Sequence, residues 1–417
     1  MRSPWPVSAL LTGLAGIMLL SSGCIATKKV VGMERNYRQD VRFLSWNTEV
    51  IELKDESGNA RVAVAPAWQG RVMTSTAHGP RGNSYGWLND AHIESGKTVP
   101  HINVYGGEER FWMGPEGGQF AIFFEKGKQF VFEDWQTPAF IDTEPFETVS
   151  KSDTKASFAR DVSIANYSGT TFDLRVERDV RLLSRQEMID LLGVNIGTLF
   201  AVGYETDNRV TNTGGQAWTK ETGLLSIWLL GMMKPGDQTT VVIPFQKGSE
   251  AERGPIVNDA YFGHVPPGRL RTTDSVIYFS ADGKQRGKIG LSPARATPFA
   301  GSWDAKRKVL TIVQYSQPGP DVRDYVNSMW ALQEKPYEGD VINSYNDGSP
   351  GPGLPPLGPF YEIETSSPAF ALAPGETGQH VQRTMHFEGD NAQMDAVAQA
   401  VLGVSLAEIE QAFSVGR

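Results

Sequence analysis

The chain has 417 residues, 40% of them hydrophobic and 21% charged, which places it among folded globular proteins and excludes a disordered or collagen-like chain. With 48 acidic against 39 basic side chains, a net charge of -9 and no dense Lys/Arg tract, a groove that tracks nucleic-acid phosphates has no compositional basis. A single cysteine, Cys24, excludes an internal disulfide framework and a multi-cysteine metal site.

The first segment reads as an address. Arg2, an apolar run from Val7 to Leu20 and the small residues Ser21-Ser22-Gly23 directly before Cys24 have the layout of a signal peptide. Small residues before a lone cysteine resemble the bacterial lipobox, which implies removal of residues 1–23 and lipidation of Cys24. The apolar run is too short for a span, since crossing the hydrocarbon core takes roughly 20 apolar residues. Membrane contact is therefore expected through the lipid, with residues 24–42 as a tether. Ile25 stands where inner-membrane retention would have an aspartate, so the expected location is the cell envelope, at the outer membrane where there are two.

Residues 43–388 show short runs of β-branched and aromatic residues punctuated by Gly, Pro, Asn and Asp, which predicts one large all-β domain, an antiparallel sandwich or barrel. Predicted strands include Ala60–Ala65, Phe120–Phe124, Thr171–Val180, Thr239–Ile243, Ser275–Ser280 and Val309–Tyr315, with turns at Asp282-Gly283 and Asp347-Gly348. Helices are few. Ser184 and Glu187 form a capping-box pattern that opens a helix over Arg185–Leu192. Residues 389–417 read as a helical extension interrupted at Gly403 and packed outside the sheet. The Pro/Gly-rich stretch from Gly348 to Pro359 is expected to be a loop over a site.

Three stretches carry a resemblance. VAVAPAWQGRVMTSTAHGPRGNSYGWLN (62–89) resembles the opening strands of galactose mutarotase-like proteins, and NVYGGEERFWMGPEGGQFAIFF (103–124) resembles a GG-x-x-R-x-W-x-x-PE stretch of bacterial relatives of that superfamily. FYEIETSSPAFAL (360–372) is similar to the ETQ-x-x-P segment of aldose 1-epimerases, whose glutamate is the catalytic base. The closing Pro374-Gly375-Glu376 turn and the His380–His386 strand fit as well, and the whole chain most closely resembles a family of uncharacterised bacterial lipoproteins. The resemblance implies a galactose mutarotase-like β-supersandwich, a saccharide ligand and Glu364 as base. One departure stands out: aldose 1-epimerases carry a histidine acid on a mid-chain strand, whereas GLLSIWLLGMM (223–233) has none.

Opening a cyclic hemiacetal needs a base on the anomeric hydroxyl and an acid on the ring oxygen. Glu364 and His101 are the candidate pair. Glu362, two residues from Glu364 on a predicted strand, shares its face. Two carboxylates on one face also suit glycoside chemistry, or one of them forms a structural ion pair. Arg110 offers a planar fork and Trp112 a stacking face, within glycines that allow close backbone approach to a ligand. Glu109 and Glu116 are candidate acceptors for sugar hydroxyls; with Glu108 they could also bind a hard cation, although carboxylates near turns are usually solvated, and no metal or other cofactor is expected. Trp87, Trp228 and Trp135 are further candidates for stacking on a sugar ring, with Tyr345 and Asn346 at the rim. The expected function is a lipid-anchored protein that binds a saccharide in an open cleft and acts at its anomeric carbon. The alternatives are a non-catalytic glycan-binding lipoprotein and a structural envelope protein that inherited the fold.

Overall fold

Long strands whose side chains alternate between two environments carry the architecture. The computed structural model describes residues 34–319 and 321–413; Cys24 and the signal segment lie outside the described residues. Helix α1 (Tyr37–Asn47) precedes strands β1 (Ile51–Lys54), β2 (Arg61–Ala65) and β3 (Arg71–Thr76), then α2 (Asp90–Ser95) and β4 (Arg110–Gly114). A meander follows: β5 (Glu147–Lys151), β6 (Lys155–Ala165), β7 (Thr171–Leu182), α3 (Arg185–Leu192) and β8 (Phe200–Asn212). Next come β9 (Ser226–Met233), β10 (Thr239–Pro244), α4 (Glu250–Arg253), β11 (Leu270–Thr272), β12 (Val276–Ser280) and β13 (Gly287–Leu291). The described chain closes with β14 (Phe299–Asp304), β15 (Val309–Tyr315), β16 (Ile342–Asn346), β17 (Tyr361–Ser366), β18 (Thr377–Glu388), α5 (Asn391–Leu402) and α6 (Leu406–Gln411).

Ten strands form one antiparallel sheet in the order β11-β12-β10-β14-β15-β18-β8-β7-β6-β5. Five more form a second, β13-β16-β17-β9-β4, and β1-β2-β3 a third. The third sheet joins the second where Val72 and Glu109 exchange backbone hydrogen bonds of 3.0 and 3.2 Å. The result is the large antiparallel sandwich expected from the sequence, with a core between layers built from residues such as Phe111, Phe158, Leu229, Ile277 and Ile363. The outer face of the ten-stranded sheet is apolar where β14, β15 and β18 present Trp303, Ile312 and Phe387, and α3, α5 and α6 cover it. The C-terminal helices thus pack outside the sheet, and Gly403 caps α5 in the left-handed conformation (φ +74°).

Two expectations change. Residues 37–42 are not tether: Asn36 and Gln39 form a capping box that starts α1, Tyr37 is buried, and buried Asp40 pairs with Arg35 at 2.6 Å and Lys234 at 3.4 Å. The compact unit accordingly begins at Arg35. Residues 120–124 are not a strand either. Gly118 turns the chain at φ +84°, and this apolar run is buried as an irregular segment whose bonds go to loops, as in Ile122 N–H to Pro115 O at 3.1 Å.

Candidate active site

The second sheet turns one face to the core and carries polar groups on the other. In β17, Tyr361, Ile363 and Thr365 point inward, so Glu362, Glu364 and Ser366 point outward. The register then assembles rows: Asn343, Glu364, Leu230 and Arg110 lie side by side, as do Lys288, Tyr345, Glu362 and Met232, and next to them Ser366, Trp228 and Trp112. Arg110 reaches Glu362 at 3.3 Å and lies over the Trp112 ring at 4.0 Å. Glu364 Oε2 accepts hydrogen bonds from Lys288 Nζ at 2.8 Å and Trp228 Nε1 at 3.0 Å. Most of the residues proposed from sequence therefore converge on this face.

The convergence leaves polar atoms without partners. Glu364 Oε1, Arg110 Nε, Trp112 Nε1 and Ser226 Oγ are all buried and unpaired. Four such atoms on three adjacent strands call for a ligand or water, because an unmade buried hydrogen bond costs about 1–3 kcal/mol. Charge adds to the pattern. Burial pushes the Glu362 carboxyl well above the usual carboxylate range, against the pull of Arg110 and with the help of Glu364. Glu116, just beyond β4, keeps part of its surface in solvent, yet burial of its carboxyl beside Trp330 raises it to about 7, opposed by Lys288.

The face is not open. Residues 325–339 form a compact loop whose ends meet through the Tyr325 and Glu338 bridge, and it lies over the site. Glu116 N–H donates to Ser328 Oγ at 3.1 Å, and Gln119 and Gln333 exchange two hydrogen bonds of 2.9 and 3.0 Å. Beneath the loop a cavity of about 70 Å³ remains, lined by Trp228, Tyr261, Lys288, Ser328, Asp340 and Asn343 among others. An ordinary ligand pocket measures about 300–1,000 Å³. The glycines of the GGEERFWMGPEGG block explain the tight cover: a Cβ on Gly117 would sit 2.3 Å from Met329 O, and one on Gly106 2.2 Å from Trp87 O. They admit the protein's own backbone, not a ligand.

Other candidates fall elsewhere. Glu109 points into the core, where its carboxylate takes Arg178 Nη2 at 2.9 Å and Gln382 Nε2 at 2.7 Å, both partners fully buried. Asn346 is opposite in parity to Tyr345 and ties down the Asp282–Gln285 turn. His101 sits on a loop with its Nδ1 on Trp135 O at 2.6 Å, in a cavity that Glu364 does not line. Glu108 binds Ser75 and His386, so Glu108, Glu109 and Glu116 go to three separate places. Tyr345 stays in the row of Glu362 at the edge of the site face, where it donates to Asp347 at 2.8 Å, and Trp87 packs beside it against Phe360 with centroids 4.9 Å apart. Trp135 stacks on Trp330 and Phe123.

Lys288, Tyr261 and Asp340 belong to no motif that the sequence shows. Tyr261 donates a hydrogen bond to Asp340, Asn258 adds another at 3.1 Å, and Asn343 donates to Tyr261 at 3.1 Å. Gly290 makes room for this, since a Cβ there would meet Asp340 Oδ2 at 2.3 Å. Burial raises the Asp340 carboxyl above its ordinary range, and Lys288 sits between Asp340 and Glu364.

Comparison with known proteins gives the family. The Family of unknown function (DUF6786) matches residues 35–413. The chain belongs to that family. No curated protein matches it. Among solved structures it is similar to the Slr1438 protein of Synechocystis at 12% identity and TM-score 0.49, covering 82% of this chain and 96% of that one. It is similar to a candidate aldose 1-epimerase of Escherichia coli at 13% identity and TM-score 0.46, covering 81% and 98%. A galactose mutarotase-like protein of Lactobacillus casei is similar at 12% identity and TM-score 0.45, covering 81% and 100%.

Proposed function

We propose that this DUF6786 protein binds a saccharide on the Arg110/Glu364 face and opens and closes its ring at the anomeric carbon. The observation that carries the reading is the group of unpaired buried atoms, above all Glu364 Oε1, beside two cations and two indole rings. Lys288 and Trp228 hold Glu364 Oε2 and leave Oε1 as the proton acceptor for an anomeric hydroxyl. Glu116, with its carboxyl raised to about 7, retains a proton near neutrality and supplies it to the ring oxygen as the carbon–oxygen bond breaks. Glu116 and Glu364 take the two roles without a histidine. Arg110 and Glu362 bind ring hydroxyls, and Trp228 and Trp112 offer apolar ring contact.

A sugar ring does not fit under the loop as it stands, so residues 325–339 lift on binding. Leu332 at its tip is 70% exposed, and the loop has no helix or strand of its own. The covered face also favours a second reading, a non-catalytic receptor that closes over its ligand. Saccharide binding by calorimetry tests both: Arg110→Ala and Glu364→Gln are each expected to weaken it at least about tenfold, the worth of one charged hydrogen bond. Unchanged binding in both variants removes this face from the function.

The lipobox resemblance adds a location. Cys24 is lipidated, and the folded body is held outside the cytoplasm at the envelope. Substitution Cys24→Ser is expected to move the protein from the membrane to the soluble fraction; retention in the membrane fraction contradicts it.

A further inference from the structure

A second cavity, of about 1080 Å³, lies between the loops of residues 98–103 and 122–144 and the free end of β6. It takes no part in the site above. Packed rings divide the two: Trp112 tilted against Phe123 at 5.2 Å, Phe123 stacked on Trp135 at 5.9 Å, and Trp135 on Trp330 at 5.7 Å. β5 pairs with β6 only as far as Ala159, so the stretch from Arg160 to Ala165 forms an open wall.

His101 is built into this cavity in an unusual way. Its φ is +71°, a left-handed conformation that few non-glycine residues adopt. The surrounding chain holds it there: His101 N–H donates to Gln136 Oε1 at 2.9 Å, and Thr137 N–H donates to His101 O at 2.9 Å. Its ring Nδ1 meets Trp135 O at 2.6 Å. A carbonyl oxygen only accepts, so Nδ1 carries the hydrogen and Nε2 of the neutral ring is left with a lone pair. Nearby, Trp135 Nε1 and Thr137 Oγ1 are buried without partners.

The charges around the cavity are partly paired, with acid in excess. Arg160 pairs with Glu144, Lys128 with Asp134 at 3.4 Å, and Asp161 with Arg175 at 3.1 Å. Asn103 Nδ2 donates to Asp142 at 2.8 Å. Glu125, Lys126 and Glu133 also line the cavity, so its carboxylates outnumber its cations. Beside them a ligand meets hydroxyl, amide and imidazole groups over the half-buried apolar side chains of Val162 and Ile164. That combination disfavours an anion and suits a neutral, hydroxyl-rich molecule. The volume exceeds the about 300–1,000 Å³ that houses one drug-sized ligand, so the match is to a chain of rings.

We propose that this groove is a second ligand site that takes a neutral oligosaccharide chain, with His101 Nε2 accepting a hydrogen bond from a ring hydroxyl. The test is calorimetry on the protein from residue 25 onward, with malto-, cello-, manno- and chitohexaose, and a hexauronate as the charged control. His101→Asn keeps a residue that tolerates the left-handed backbone. Val162→Trp adds bulk on the half-buried face of β6 that lines the groove. At least one neutral chain is expected to bind, with affinity lowered about tenfold by His101→Asn and lost in Val162→Trp. Absence of binding by all four neutral chains, binding of the hexauronate alone, or binding that survives in folded Val162→Trp overturns the site. An unchanged affinity in His101→Asn overturns the role of that imidazole. Because the readout is chain binding and not ring opening, its failure leaves the proposed function standing.

Discussion

Glu116 is the residue on which the acid half of the proposed chemistry depends. A carboxyl near 7 in the folded protein against 4.5 ordinarily means that, between those values, the folded chain holds a proton the unfolded chain has released. Its stabilising contribution is complete below about pH 4.5 and is lost as pH rises through about 7. Glu116→Gln, neutral throughout, is therefore expected to unfold at a higher temperature than the parent protein at pH 8 and to show no such advantage at pH 4. The same substitution removes the proton donor, so the fall in ring-opening rate above pH 7 disappears along with most of the rate. A parent rate that stays flat from pH 6 to 9 argues against Glu116 as the acid. Glu109 behaves differently. Its ion pair with Arg178 is fully buried, and breaking one side of such a pair costs about 3–5 kcal/mol, so Glu109→Ala is expected to lower the urea midpoint sharply while folded molecules keep their saccharide affinity.

Among elements, the 325–339 loop decides access. Gly117 lies against the backbone of Met329, and a methyl group there cannot be accommodated without shifting the loop. Gly117→Ala is expected to expose Leu332 to chymotrypsin several-fold faster than in the parent protein; equal cleavage rates argue that the loop does not rest on this glycine. The elements also show what a single sequence can disclose. Glu362 and Glu364 follow from period-2 alternation in one strand, and so does their shared face with Arg110 once the strands are aligned. Lys288 does not: it lies 76 residues from Glu364, and only the pairing of β13 with β16 and of β16 with β17 brings it to the carboxylate. Glu109 and Asn346 were misplaced by one residue of parity, which sends a strand side chain to the opposite face. His101 was drawn to the site by its nearness in sequence to the glycine block, although a loop carries it to another cavity.

At the scale of the whole molecule, the sandwich was legible because its strands alternate strongly and its turns fall on Gly, Asp and Asn. The start of the body was not: Asn36 and Gln39 open α1 with the same capping box that Ser184 and Glu187 give α3, but the pattern lies within the stretch that follows the signal segment and reads as tether. The C-terminal helices are more than an appendage. Met394, Val397, Leu402 and Ile409 seal the apolar outer face over Trp303 and Phe387, and deleting residues 390–417 is expected to expose that face, raising dye binding and causing aggregation. A soluble, cooperatively folded truncation contradicts this. The family boundary at residues 35–413 agrees with the first and last elements that pack.

The central claim is ring opening by Glu364. One-dimensional proton exchange spectroscopy across anomeric signals, run over a panel of monosaccharides with the parent protein and with Glu364→Gln, tests it directly. The account predicts accelerated exchange for at least one sugar, abolished in Glu364→Gln while the variant remains folded. Acceleration that survives in Glu364→Gln, or binding without any acceleration in the parent protein, contradicts it.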